Sequence, residues 1–443
     1  MKIMKRYGLK TGIVGLVCLI GACSYEQPVF NPIQKEHPGN GGEEVTPPMP
    51  ERPDEDINLD EWDLVWNDEF EGNNQQDLDD KWIFENVSYG HILCSRWREN
   101  AIKKDGTLRL LVKKNGSDYW DRDPYKRDWT AASMSTKEKF KYGYYECRYR
   151  YSAAMGTNNS FWIMSDGSKQ PEKGHNYEID INEGHYPNEI NTNIHKYEWK
   201  GEHTADQKGI VFGTEPGYSF QLENPVKTTK IRFSSNHYTY FHIREFRILG
   251  VAGSYPDPLS NEWETVKGIT NYATDADITA SGCYNVENNP VRNVCDGKSS
   301  TSWIAQAEGE KWLEFKFSED KTIGCIQFVN GWQKDGKWQD LIGDYKIQYE
   351  KDGKWVDIAA KDIIQEMNFG KDYHTYGLEW TEDELIYYFD RKEIRREKNM
   401  FCFIPAPVYL SLAIIGYGAG PVTDAIDGTQ MEVDYVRIYE RKE

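Results

Sequence analysis

Apolar residues along this chain fall in short runs with a two-residue period. "LRLLVKK" at 108–114, "YGYYECRYRY" at 142–151, "NSFWIM" at 159–164, "YEIDIN" at 177–182 and "NTNIHKYEW" at 191–199 are examples. Alternation on that scale puts one set of side chains on each face of an extended strand. Gly- and Asn-rich clusters separate the runs, and no long 3.6-residue period competes with them. The pattern predicts an all-β fold of sandwich or barrel type.

The run "NYEIDINEGHY" at 176–186 breaks its own rhythm. Glu178 and Asp180 share one face of a strand, while Ile179 and Ile181 take the other and can face a core. Glu183, five positions after Glu178, falls out of phase. One extra residue bulged out at Ile181 or Asn182 would restore the phase and set three carboxyl groups in a row. Such crowding costs free energy, because like charges repel and each raises the pKa of the next. Paired carboxyl groups on one surface are what glycoside hydrolysis requires, one ionised to attack and one holding a proton to release the leaving sugar.

The two ends of the pattern differ from the middle. Residues 1–22 carry four basic residues (Lys2, Lys5, Arg6 and Lys10) and then an apolar run too short for a comfortable membrane span. They read as an export signal ending at Cys23. Residues 23–60 are rich in Pro, Gly and acids and poor in aliphatics, so they read as a disordered tether. Length adds that two or three domains fit within 443 residues.

Charge then narrows the partners. The formal net charge is −19, and the segment 1–22 removes only bases, so the exported chain is more acidic still. Nucleic acid and anionic membrane surfaces are repelled, and a neutral polymer is the easier partner. The remaining cysteines (Cys94, Cys147, Cys283, Cys295, Cys325 and Cys402) show no metal-binding spacing and receive no chemistry. Aromatic residues make up 14% of the chain, enough to pack strand faces and still leave rings for stacking on sugars.

Several segments together resemble glycoside hydrolase family 16, the laminarinase, lichenase and agarase family. They are "DLVWNDEFEG" at 63–72, "KFKYGYYECRYRY" at 139–151, the "EIDINE" row, "DYHTYGLEWTEDELIYYFD" at 372–390 and "MEVDYVRIYER" at 431–441. The resemblance implies a concanavalin-like β-jelly roll built from 62–208 and 366–443. It implies Glu178 as nucleophile, Glu183 as general acid and then base, and Asp180 as the acid between them. It further implies substrate contacts from Trp162, His195 and Trp97. The spacing with two residues between Asp180 and Glu183 matches the version found in laminarinases and in agar- and carrageenan-degrading enzymes. One departure stands out: many members read close to W-P-A-F-W where this chain has "TNNSFW", so one Trp and one Pro of the cleft wall are missing. "IGAC" at 20–23 resembles a lipobox, which implies lipidation of Cys23.

His195 and His374, close in sequence in most family members, are widely separated here. The intervening 209–365 resembles a coagulation factor 5/8 type C, or discoidin-like, β-sandwich, a type found in many carbohydrate-binding modules. "NVCDGKSSTSWIAQAEGEKWLEFKFSEDKTIGCIQF" matches the early part of such a domain and "DYKIQYEKDGKWVDI" its middle. "TTKIRFSSNHYTYFHIREFRILG" at 228–250 looks like the last strands yet comes first, so the order is circularly permuted. The resemblance implies a structural Ca²⁺ held by Asp296, Thr301 and Glu245, hard oxygen donors that suit this ion. Trp332 and Trp338 are candidates for sugar stacking or for plain packing.

The chain is thus expected to be a monomeric, exported bacterial lipoprotein at the outer membrane or cell surface, touching the membrane only through its N-terminal lipid. Its expected activity is retaining endo-hydrolysis of a β-linked polysaccharide or glycan, without a catalytic cofactor and without nucleic acid as partner. β-1,3- or mixed-linked glucan and β-galactan or galactose-containing glycan are both open as substrates. The alternatives are a surface glycan-binding lipoprotein that has lost its chemistry, and a transglycosylase sharing the covalent intermediate.

Overall fold

A computed structural model describes residues 57–166, 176–198, 201–260, 268–334 and 337–442. The export segment 1–22, Cys23 and the tether up to residue 56 lie outside the described residues. The described chain is all-β, with a few single-turn helices such as Gln76–Lys81 and Ile363–Glu366.

Two sheets face each other across the larger core. One has the strand order Lys392–Lys398, Glu384–Phe389, His374–Trp380, Gly143–Arg150, Gln430–Arg441, Thr107–Leu111, Ala101–Lys104, with Trp62–Asp68 pairing on Gln430–Arg441. The other runs His203–Val211, Glu189–Tyr197, Asn176–His185, Thr157–Met164, Val408–Ile414, Ser133–Thr136, Trp82–Phe84. Alternation decides which residues meet between them. Tyr145, Cys147 and Tyr149 point inward from the first sheet, and Phe161, Ile163, Ile179 and Ile181 from the second. Each such side chain contributes roughly 1.5–3 kcal/mol by leaving water. The other face of the second sheet carries Ser160, Trp162 and the acids.

On the opposite face of Gly143–Arg150 a charge is buried. Glu146 is fully enclosed, accepting hydrogen bonds from Arg391 Nε (2.8 Å) and Nη2 (2.9 Å), Tyr435 Oη (2.8 Å) and Tyr144 Oη (2.9 Å). Four donors on one carboxylate satisfy its lone pairs, which is the condition for keeping an ion out of water.

Strands between residues 217 and 361 form a third sheet, in the order Trp303–Ile304, His242–Gly250, Lys311–Asn330, Gly217–Ser235, Tyr345–Lys351, Lys354–Lys361. It has its own core, in which Phe233, Phe246, Phe315 and Phe328 pack with Trp303. His242–Gly250 and Gly217–Ser235 both flank Lys311–Asn330, although they precede it in the chain. The sandwich and this unit meet at the turn after Asn176–His185, where His185, Tyr186 and Glu189 line one cavity with His237, Tyr238 and Leu341.

Candidate active site

The acidic strand Asn176–His185 lies between Thr157–Met164 and Glu189–Tyr197. Across from Thr157–Met164 the register reads Met164↔Glu178, Trp162↔Asp180, then Phe161↔Asn182 and Ser160↔Glu183, so Ile181 is the extra residue of a bulge. Ile181 and Asn182 therefore both turn inward. Asn182 Nδ2 donates to Tyr149 Oη (2.7 Å) and Tyr151 Oη (2.8 Å), which satisfies a polar side chain that the bulge forces into the core. Glu183 returns to the same face as Glu178 and Asp180.

Gly184 follows because nothing larger fits. A Cβ there would sit 2.2 Å from the Tyr151 ring, whose hydroxyl is tied to Glu189 O (3.0 Å) and Asn182.

Each acid has its own partner. Glu178 accepts from the Tyr197 hydroxyl. Asp180, 2% exposed, has its Oδ2 3.1 Å from His195 Nε2. Glu183 accepts Asn158 Nδ2 at Oε1 (2.6 Å) and Asn193 Nδ2 at Oε2 (2.8 Å). Asn158 stands in the "TNNSFW" stretch, so the departure noted in the sequence places an amide on Glu183.

Electrostatics single out the middle acid. Burial, reinforced by the charges of Glu183 and Glu178, pushes Asp180 up to about 8 against the pull of His195. Burial and the two neighbouring carboxylates thus act together on Asp180. Glu178 is also raised, by burial first, with Tyr197 and His195 opposing and Glu183 reinforcing. Burial opposes charge on His195, but its hydrogen bond to Asp180 and the surrounding carboxylates outweigh that and lift it to about 9. Glu178, Asp180 and the imidazole titrate together, with the proton between Asp180 and His195 shared.

Around the row, Trp162 is half-buried and stacks on Tyr409 at 4.2 Å and 22°, its Nε1 donating to Ser411 Oγ (3.1 Å). Trp97 corrects an expectation. It is 2% exposed, stacked on Tyr119 at 4.7 Å under the Arg122 guanidinium, with Nε1 on Ser95 Oγ (2.8 Å), so it presents no open face to a sugar. Tyr197, Asn158, Asn193 and His203 were not singled out from the sequence. Tyr197 was findable, because it lies two residues after His195 and so on the same strand face.

In the third sheet, Glu245 and Asp296 line a cavity of about 230 Å³ with Asn271, Thr274 and Gly297. Thr301 Oγ1 donates to Asp296 (2.9 Å). Glu245 Oε2 is buried without a hydrogen-bond partner among the described residues, and burial first, then Asp296, pushes Glu245 up to about 8 against Arg247. An orphaned carboxylate oxygen beside a second carboxylate fits a hard cation. Among the described residues no group of three or more His, Cys, Asp or Glu is placed to hold a metal ion, so hydroxyl and carbonyl oxygens would complete the set. Trp332 packs on His242 (5.6 Å, 25°) and donates to Asp340 Oδ2 (2.9 Å), and Arg244 lies 5.0 Å from the centroid of Trp338.

Comparison with known proteins gives two family matches. Residues 91–221 match the family model for glycosyl hydrolases family 16, and residues 277–379 match that for the F5/8 type C domain. The chain is 35% identical over 68 residues to the endo-1,3-1,4-beta-glycanase ExsH of Rhizobium meliloti (strain 1021), covering 15% of each chain. It is 26% identical over 194 residues to a glucan endo-1,3-beta-glucosidase of Cryptopygus antarcticus, covering 40% of this chain and 62% of that one. The matched parts thus span less than two thirds of either relative. Among solved structures, the laminarinase catalytic domain of Thermotoga maritima MSB8 aligns with a TM-score of 0.44 at 16% identity, covering 86% of this chain and 100% of that one. On the two family matches alone, one polypeptide carries a glycosyl hydrolases family 16 domain matched over residues 91–221 and an F5/8 type C domain matched over residues 277–379.

Proposed function

We propose that the chain is a retaining endo-β-glycosidase acting on a β-linked polysaccharide or glycan. The observation that carries this reading is the bulged acidic strand, which sets Glu178, Asp180 and Glu183 on one face with a separate partner for each. Glu178 attacks the anomeric carbon while Glu183 gives its proton to the leaving oxygen, so the glycosidic bond breaks as a glycosyl ester forms. Glu183 then takes a proton from water, whose oxygen displaces Glu178 and restores both groups. Asp180, holding a proton near neutral pH, limits the negative charge of the row while Glu178 remains the nucleophile. Trp162 supplies a sugar-facing ring on the cleft floor.

The relatives are named for β-1,3- and β-1,3-1,4-linked glucans, which makes these polymers the first substrates to try. Asn158 supports galactose-containing glycans as the second class, since an amide replaces an aromatic wall beside Glu183. We also propose that the third sheet is a circularly permuted F5/8 type C module inserted after the sandwich strand His203–Val211, a few residues beyond the expected boundary at 209, and running to about residue 365. Supporting this, its strands before residue 250 flank Lys311–Asn330, while the family match begins only at residue 277. In this reading Glu245, Asp296 and Thr301 would hold a structural Ca²⁺. Export with a lipid on Cys23 completes the proposal, and a Cys23→Ser chain that still incorporates labelled palmitate in cells would end it.

The test of activity is a product screen of the purified chain against β-glucans, agar-type galactans and mucin-type glycans, with Glu178→Gln as control. Oligosaccharides that vanish in the control, appearing first as the β-anomer by NMR, are the expected result. Polymer binding without release, equal in both proteins, would replace the enzyme with a glycan-capture module.

A further inference from the structure

One histidine stands behind two supports of the acidic row. His203 opens the edge strand His203–Val211, directly opposite Tyr197 in the ladder with Glu189–Tyr197 and diagonal to His195. Its Nε2 lies 2.8 Å from His195 Nδ1. The two ring planes are 12° apart with centroids at 5.1 Å, so the imidazoles lie side by side and meet through their nitrogens rather than their faces. The His203 ring also lies 4.8 Å from that of Tyr197 at 13°. A single edge residue therefore touches the partner of Asp180 and the partner of Glu178.

We propose that His203 is a positioning residue for the carboxylate row, accepting the Nδ1 proton of His195 at its own Nε2 so that His195 Nε2 is held toward Asp180. The inference rests on the glycosidase reading. A histidine whose one nitrogen is fixed by a hydrogen bond presents the other in a single orientation, and the partner decides which nitrogen carries the proton. Proton roles follow from the surroundings. Burial first, and then the charge on His195, keep His203 below its usual range, which makes it the neutral acceptor and His195 the donor. The chain Asp180–His195–His203 thus leads from a buried carboxyl to an exposed ring at the sheet edge.

The position is particular to how this chain is threaded. The strand that presents His203 ends at Val211, and the next begins the third sheet at Gly217. The hairpin that completes the row is therefore also the hairpin that leads into the F5/8 type C unit.

His203→Phe keeps a ring against Tyr197 and removes the acceptor, whereas His203→Gln keeps an acceptor at about the reach of Nε2. Losing one hydrogen bond to a charged donor should lower kcat of the Phe variant roughly tenfold. KM should stay unchanged, because His203 is placed behind the row, and the Gln variant should recover most of the loss. In proton and ¹⁵N spectra of ring-labelled protein, a slowly exchanging His195 Nδ1 proton is expected in the wild type and the Gln variant and lost in the Phe variant. If His203→Phe fails to fold, His203→Ala at this exposed position carries the same expectation. Wild-type kcat with an unchanged His195 resonance in the Phe or Ala variant overturns the proposal, as does equal loss in Phe and Gln variants. Should the wild type release no sugar from any polymer, the glycosidase reading fails, and the His195 resonance alone still decides whether His203 holds that ring.

Discussion

Replacing Asp180 by asparagine should make the protein more stable at neutral pH while it lowers turnover. In the unfolded chain an aspartate titrates near 3.9, whereas in the fold Asp180 is held at about 8 by burial and by Glu183 and Glu178. A group whose folded pKa is raised stabilises the fold fully below its unfolded value and progressively less as pH climbs toward the folded one. The window is therefore about pH 4 to 8. At pH 7 the gap spans about three units at about 1.36 kcal/mol each, so keeping Asp180 in place costs on the order of 4 kcal/mol. An amide has the same shape, needs no proton, and still offers His195 Nε2 an acceptor oxygen. The variant also gives up the contact that lifts His195 to about 9, which offsets on the order of 2 kcal/mol at pH 7 and leaves a gain of roughly 2 kcal/mol, or several degrees in Tm for a unit of this size. Thermal melts of both proteins at pH 4, 5.5, 7 and 8 measure it. The difference should be near zero at pH 4 and widen with pH, while oligosaccharide release falls. An asparagine variant that melts at or below the wild type at pH 7 would refute the reasoning, since Asp180 would then be an ionised partner of His195.

Other expectations follow from single contacts. Tyr197→Phe removes the donor that lowers the Glu178 pKa, so the acidic limb of the kcat/KM profile should move to higher pH and activity at pH 5 should fall roughly tenfold. Arg391→Ala leaves Glu146 buried without its bidentate cation and should cost about 3 kcal/mol, the low end for a buried pair because Arg391 is partly exposed, as read from denaturant titration. That loss should shrink as pH falls through the carboxylate range, where protonation removes the uncompensated charge. Gly184→Ala should destabilise by about 1–3 kcal/mol in the same titration, because its methyl meets the Tyr151 ring. Calcium in excess should raise the melting temperature of the wild type and leave Asp296→Asn unchanged, and equal response in both would remove the proposed ion from Glu245 and Asp296.

What was legible in the sequence was whatever depends on local period. Alternation alone placed Ile179 and Ile181 toward a core, and the phase error at Glu183 demanded an extra residue, which the register assigns to Ile181. Partners across the sheet were not legible, because they depend on register and on which hairpin closes where. Tyr197 could be reached by counting two residues from His195, but His203 meets His195 only because the turn between them has one particular length. Trp97 shows the opposite failure. Its motif matched a subsite position, yet Tyr119 and Arg122, from a later segment of the chain, cover its ring. The pKa pattern was legible only in kind. Burial is set by the whole sheet, so the raised pKa of Asp180 could not be reached by counting charges along the strand. That outcome has a chemical consequence: a protonated Asp180 between two glutamates lets both work without three negative charges sharing one face. Stability and function are tied here, because the cost that Asp180→Asn relieves comes from burying a carboxyl group in the same bulged strand that sets Glu178 and Glu183 on one face.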